Sequence, residues 1–214
     1  MIKYIFVDFN GTILDDVDLC LELLNKILMN QNKKTITKEE YKNIFKFPIK
    51  QYYLDAGVTF DNESYESLAV KFIDKYKILS KKCNLFSNTI DTFKYLRNKN
   101  IHLILLSASE KNNLLEQCKY YQIIDYFDEI LGINNIYAES KSGLGLDYIN
   151  KNKIDKEECI FIGDTDHDFL VSREMGVKCV LVTSGHQSPN VLNKCNTKIL
   201  NNFNEIRCLL DDIN

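Results

Sequence analysis

Tyr4-Ile5-Phe6-Val7-Asp8-Phe9-Asn10-Gly11-Thr12 runs from an apolar stretch into a carboxylate, a carboxamide and a hydroxyl set in a glycine-containing turn. A strand buried on both faces reads as such a continuous apolar run, because helices cover both sides of a parallel sheet. In open α/β sheets ligands bind beyond the carboxyl ends of the strands, which puts Asp8 where chemistry is done. Asn-Gly is also the strongest short signal for a tight hairpin, but a hairpin needs a second strand. The next apolar positions are instead Leu19, Leu23, Leu24, Ile27 and Leu28, spaced three and four apart like the apolar face of a helix. The turn is therefore read as leading from strand to helix.

Further strand-length apolar runs occur at 101–106, 130–131, 159–162 and 178–182, with a weaker one at 198–200. Helix-like segments at 89–98, 111–121, 143–150, 169–175 and 203–210 lie between or after them. Alternating strands and helices imply a parallel sheet covered on both faces. The stretch from about 15 to 86 is different, with helical periodicity and almost no strand. There Thr37-Lys38-Glu39-Glu40 reads as a capping box ahead of Tyr41, Ile44 and Phe45. Asp61 is expected to cap a helix carrying Tyr65, Leu68, Phe72 and Tyr76, and Pro48 to separate the two helices.

A chain of 214 residues with 45% apolar side chains supports one large domain, or a core with a smaller insertion. A net charge of -3 leaves no basic surplus for nucleic acid, so small molecules are the expected partners. No stretch of eighteen apolar residues is present, and the N-terminus passes straight into the first strand. The seven cysteines are scattered and form no C-x-x-C pair, which argues against a disulfide framework or a zinc site. A cytoplasmic protein with reduced thiols and no membrane partner is expected. The Asn- and Lys-rich stretches read as surface connectors.

Four separated elements would meet at the carboxyl edge of the sheet: Asp8, Ser107 after the run 103–106, Lys141, and Gly163-Asp164-Thr165-Asp166-His167-Asp168. Singly each has an ordinary explanation, since Ser and Asp cap helices and a lone Lys is usually solvated. Their order and their shared strand-end setting are harder to explain that way.

In these residues the chain resembles the haloacid dehalogenase-like superfamily, whose four motifs are matched in order by DFNGT at 8–12, Ser107, Lys141 and GDTDHD at 163–168. The resemblance covers essentially the whole length and is similar to the phosphoglycolate-phosphatase branch. It implies an α/β fold, a Rossmann-like parallel sheet core with helices on both faces and an inserted α-helical cap. Residues 1–14 and 87–214 would form the core and 15–86 a C1-type cap. It further implies that Asp8 is a nucleophile forming an aspartyl-phosphate. Ser107 would bind a phosphoryl oxygen, Lys141 would offset charge on Asp8 and the substrate, and Thr12 would hold the phosphate or order the loop. The implied cofactor is Mg2+, held by Asp8, the backbone carbonyl of Asn10, Asp164 and, directly or through a water, Asp168. The implied partner is a small phosphorylated metabolite, and the implied assembly a monomer or homodimer.

Asn10 departs from the pattern. Phosphatases of the superfamily carry a second Asp there, as acid for the leaving group and then base for water, and a carboxamide does neither. A backbone metal ligand survives the change, so the expectation is a magnesium-dependent phosphohydrolase slowed by Asn10. A weakly catalytic phosphate-ligand binder or sensor is the alternative, with dehalogenase or phosphonate-type chemistry behind it. Deamidation of Asn10-Gly11 would regenerate an acid, and a deliberate substitution would leave the same residue.

Among the remaining candidates, Asp166 and His167 fit a helix start and His102 a structural role. His186 lies on a loop within reach of the site, with loop packing as the preferred reading. The aromatic stretch Phe45, Phe47, Pro48, Tyr52 and Tyr53 suits either a substrate pocket or the interior of the cap.

Overall fold

The computed structural model describes residues 1–133 and 140–213, so the expected core range 87–214 includes residues 134–139 and 214, which lie outside the described ones. From the N-terminus come β1 (Tyr4–Val7), β2 (Leu14–Asp15) and four helices: α1 (Val17–Asn30), α2 (Lys38–Ile44), α3 (Ile49–Asp55) and α4 (Tyr65–Leu79). The middle of the chain forms β3 (Asn84–Leu85), α5 (Thr89–Asn98), β4 (His102–Glu110), α6 (Lys111–Tyr120), β5 (Glu129–Ile133) and α7 (Lys141–Asn152). The chain ends with β6 (Cys159–Gly163), α8 (Asp166–Met175), β7 (Lys178–Val182), α9 (Pro189–Leu192), β8 (Lys198–Leu200) and α10 (Ile206–Ile213).

The apolar run of β1 is explained by its place. It pairs in parallel with β4 on one side and β6 on the other, in a six-stranded sheet of order β5-β4-β1-β6-β7-β8. Ile5, Phe6 and Val7 have no solvent exposure. Their side chains alternate between the two faces, as the strand period of two requires. Ile5 and Val7 join Leu103, Leu105, Ile160 and Ile162 beneath α5, α6 and α10. Phe6 points the other way and packs with Ile104, Leu106 and Phe161 under α7 and α8.

The four helices α1–α4 build a separate apolar cluster around Leu24, Leu28, Tyr41, Tyr52 and Tyr53. Its two ends are clasped together where Leu14 and Asp15 pair antiparallel with Leu85 and Asn84. The Thr37 capping box is present, with the Glu40 N–H donating to Thr37 Oγ1 at 3.2 Å and the Thr37 N–H to Glu40 Oε2 at 2.7 Å. Asp61 does not cap α4; Ser64 does, accepting from the Ser67 N–H at 3.2 Å. The residue that immediately precedes the first helical turn is the one whose side chain reaches its free N–H groups, and Asp61 lies too far upstream. Strand β4 also runs past the apolar stretch to Glu110, because β5 continues to pair with it. Among the described residues no helix is long and apolar enough to cross a membrane.

Phe93 of α5 is fully buried against Tyr126, Phe127 and Phe203. Phe93→Ala is therefore expected to lower the unfolding free energy by about 3–5 kcal/mol in a urea titration, through lost burial and the cavity left behind. Met29→Ala, at an exposed position on α1, should change it by less than about 0.5 kcal/mol.

Candidate active site

Connections leave β1 toward β4 on one side and return to β6 on the other, which opens a crevice at the carboxyl end of the central strand. Register places Val7 level with Leu105 and Ile162, so Asp8, Ser107 and Asp164 emerge side by side. The Asp8 N–H is held by the Ile162 carbonyl at 2.9 Å. Ser107 is buried, and its Oγ accepts from the Ser109 N–H at 3.1 Å.

Lys141, the first residue of α7, is buried rather than solvated, and its ammonium lies 2.8 Å from Asp8 Oδ1 and 2.6 Å from Asp168 Oδ1. Burial alone would favour a neutral amine, but the Asp168 and Asp8 carboxylates hold its pKa above the usual lysine value. Asp168 is saturated on its other oxygen, which accepts from the N–H groups of Asp164 and Thr165 and from Thr165 Oγ1. Burial works against its charge, yet Lys141 and Thr165 hold Asp168 below the usual carboxylate range. Thr165, not Asp166, is the N-cap of α8; Asp166 stands in the first turn and accepts from Gln187 Nε2 at 2.8 Å.

Asp164 is gripped by the loops around it. Oδ1 accepts from Thr12 Oγ1 at 3.1 Å, and Oδ2 from the His186 N–H at 2.6 Å. Thr12 thus orders the turn around this carboxylate. Gly11 has φ +69°, and a Cβ there would lie 2.3 Å from Asp164 Oδ2 and 2.6 Å from the His186 ring. A Cβ at Gly185 would meet the same carboxylate at 2.2 Å. Both positions admit only glycine without a shift of buried groups.

Asp8, Asp164 and Asp168 bring carboxylate oxygens within 4.8 Å of one another. Burial, with Asp168 and Asp164 beside it, pushes Asp8 above the usual carboxylate range although Lys141 opposes. Burial does the same to Asp164 against the pull of His186. Such crowded, oxygen-only donors match a small hard divalent cation, whose charge would relieve both groups.

Asn10 is locked by its own bonds. Its Nδ2 donates to Asp16 Oδ2 at 2.9 Å and to the Tyr76 hydroxyl, while its Oδ1 accepts from Ser109 Oγ at 3.2 Å. Asp16 is the residue that reading the sequence missed. It occupies the N-cap position of α1 yet makes no cap, because its carboxylate is turned to the Gly11 N–H at 2.9 Å, to Tyr76 and to His186 Nε2 at 3.2 Å. Burial opposes its charge, but His186, Tyr76 and Asn10 hold it below the usual range. The available signal was the Asp15-Asp16 pair between the turn and the first amphipathic helix, which on its own announces only a cap.

His186 is both packed and turned into the site. Its Nδ1 meets the Tyr41 hydroxyl at 2.7 Å, and its ring stacks on Phe45 with centroids 4.9 Å apart. Burial lowers its pKa, but Asp16, Asp164 and Asp8 raise it to about 9. His102 is half-exposed at 3.3 Å from Asp128, away from this edge.

Over the carboxylates lies a cavity of about 310 Å³, floored by Asp8, Ser107, Lys141 and Asp164 and walled by aromatic side chains of the helical segment. Phe45, Phe47, Tyr52 and Tyr53 all line it, so the aromatic stretch serves as pocket wall and, through Tyr52 and Tyr53, as part of the helical cluster too.

The sequence profile of haloacid dehalogenase-like hydrolases matches residues 4–182. The chain belongs to that family. It is 21% identical over 147 residues to phosphoglycolate phosphatase 1 of Pseudomonas aeruginosa, across 67% of this chain and 54% of that protein. A phosphoglycolate phosphatase of Pseudomonas fluorescens is 21% identical over 192 residues, across 86% of this chain and 70% of that one. The chain thus spans about half the length of the first relative. A haloacid dehalogenase-like family hydrolase from Streptococcus pneumoniae superposes with a TM-score of 0.82 at 19% identity, over 98% of both chains. A predicted phosphoglycolate phosphatase from Haemophilus somnus does so at 0.78 and 16%, again over 98% of both. These likenesses establish the haloacid dehalogenase-like fold for the whole chain.

The Asn10–Asp16 contact makes a prediction about stability. Asn10→Asp would set a second, partly buried carboxylate against the buried Asp16, so the folded-state pKa of the new acid is raised by repulsion and partial burial. For an acid so raised the penalty is absent well below its unfolded pKa of about 3.9 and grows as pH rises through it. Urea unfolding in EDTA should show a loss of about 1–3 kcal/mol near neutral pH, smaller at low pH, and largely reversed when Asp16→Asn is added.

Proposed function

We propose that this protein is a magnesium-dependent phosphohydrolase of small phosphorylated metabolites, working through an aspartyl-phosphate on Asp8 and slowed by Asn10. The observation that carries this reading is the buried triangle of Asp8, Lys141 and Asp168 beside Asp164 and Ser107 at the carboxyl edge of the sheet. The names of the Pseudomonas relatives, both phosphoglycolate phosphatases, agree with it.

Asp8 Oδ attacks phosphorus and displaces the ester oxygen, and a water then cleaves the acyl phosphate to return the carboxylate. Ser107 orients a phosphoryl oxygen, and Lys141 offsets negative charge on Asp8 and the phosphate, positioned for it by Asp168. The cation would be held by Asp8, the Asn10 backbone carbonyl and Asp164. When bound, it neutralises charge between these carboxylates and the phosphate. With both oxygens of Asp168 engaged by Lys141 and the β6–α8 turn, that residue acts on its neighbours or through a water. Residues 15–86 act as the C1-type cap on a core of 1–14 and 87–214, a division supported by the separate cluster of α1–α4 and the β2–β3 clasp. The seven free thiols agree with a cytoplasmic setting.

Phosphate release should require Mg2+, disappear with EDTA, and be abolished by Asp8→Asn. Asn10→Asp should raise kcat/KM for alkyl phosphates by about 10²- to 10⁴-fold and for aryl phosphates much less, since a positioned acid helps poor leaving groups most. Turnover of no ester in the presence of Mg2+, with saturable binding of inorganic phosphate, would instead establish the binding or sensor role.

A further inference from the structure

We propose that the substrate is an aryl phosphate monoester, with an uncharged aromatic leaving group seated between the rings of α2–α4. This inference rests on the phosphohydrolase reading and adds the substrate class to it. Two observations support it: what the pocket wall offers, and what the Asp8 loop lacks.

The wall offers ring faces, and the cations it contains are already paired. Among the described lining residues Lys141 is the one lysine or arginine, and it is already shared by Asp8 and Asp168. Three lysines of the helical segment are held elsewhere. Lys42 donates to the Thr183 carbonyl at 2.8 Å, Lys46 pairs with Asp55, and Lys50 lies over the Phe60 and Tyr65 rings. His186 faces Asp16, and His167 packs its ring on Phe47 with centroids 4.5 Å apart. Residues 134–139 contain no lysine or arginine. A carboxylate on the leaving group, as phosphoglycolate carries, would thus be desolvated without a partner, which costs several kcal/mol in an apolar setting. Of the wall hydroxyls, those of Tyr41 and Tyr76 are already bonded to His186 and Asp16. Aromatic rings packing on aromatic walls gain instead, by about 0.5–1.5 kcal/mol per pair beyond burial. The volume of about 310 Å³ sits at the small end of ligand pockets, roughly 300–1,000 Å³.

The loop lacks a proton donor at position 10, where the carboxamide is fixed by Asp16, Tyr76 and Ser109. In the step that expels the leaving group, an aryl ester tolerates the loss of the acid. Asp8 Oδ forms the bond to phosphorus, the phosphorus–oxygen bond to the aryl group breaks, and its electron pair leaves on a phenolate that takes its proton from solvent. Water then attacks phosphorus, Asp8 leaves as carboxylate, and the net products are a phenol and inorganic phosphate. A phenol ionises at about 10, whereas an alkanol, like bulk water, is a far weaker acid, so an alkoxide needs the missing acid and a phenolate does not.

The test separates recognition from leaving-group chemistry by using phosphonates that cannot be hydrolysed. With the intact Mg2+-loaded chain, calorimetry should show benzylphosphonate binding at least about tenfold tighter than 2-carboxyethylphosphonate. Ile73 lines the cavity and is 49% exposed, so Ile73→Arg can add a cation to the wall without burying it. That variant should weaken benzylphosphonate and strengthen 2-carboxyethylphosphonate. In steady-state assays kcat/KM for 1-naphthyl phosphate should exceed that for phosphoglycolate, with Ile73→Arg acting mainly on KM. Equal or tighter binding of the carboxylate analogue by the parent, or phosphoglycolate as the better substrate, overturns the proposal. If no ester is turned over, the hydrolase reading fails, and the phosphonate comparison still decides the class of ligand.

Discussion

Burying three carboxylates within a few ångströms of one another is the constraint around which this edge of the molecule is organised. Desolvating an ion costs several kcal/mol, and only close counter-charge and complete hydrogen bonding offset it. Lys141 meets that demand by bridging Asp8 and Asp168, and the turn from β6 to α8 meets it by aiming backbone N–H groups at the second Asp168 oxygen. Asp164 depends in turn on Thr12 and the His186 N–H, and it comes so close to the backbone that Gly11 and Gly185 tolerate no Cβ. Much of the local sequence is therefore dictated by solvating charge without water. The least satisfied part of this arrangement is the Asp8–Asp164 side, the side that would hold a cation.

The parallel sheet was legible because burial on both faces leaves a plain trace: β1, β4, β6 and β7 are nearly uninterrupted apolar runs, and helices with a periodic face separate them. Asp8, Ser107, Lys141 and Asp164 could be seen because each succeeds such a run or starts a helix in the order the family motifs share. The cap of α4 was misplaced since Asp61, Asn62 and Ser64 carry equivalent signals, and only the backbone path shows which one adjoins the first turn. Asp16 was invisible for a deeper reason. Its partners Tyr76 and His186 are 60 and 170 residues away, and no local pattern encodes a contact of that separation.

Asp16 changes what Asn10 means. Considered alone, the carboxamide is a missing acid. In place, it is the neutral donor that lets a buried carboxylate sit 2.9 Å away, and it ties the Asp8 loop to Asp16, to Tyr76 of α4 and to Ser109. A helical segment fastened to the Asp8 loop through Tyr76 and to the His186 loop through Tyr41 is mechanically coupled to the site it covers.

That coupling joins the two halves of the substrate argument. Tyr41 and Tyr76 spend their polar ends on His186 and Asp16, and what remains facing the cavity is ring surface. Asn10, held in the same network, has no proton to give. In the proposed reading, a site whose cations are already paired and whose residue 10 is no acid disfavours leaving groups that need either, and an aromatic oxygen ester needs neither. Asn10 in the Asp8 loop and the Tyr41 and Tyr76 rings of the wall above it thus meet in the hydrogen bonds of Asp16 and His186.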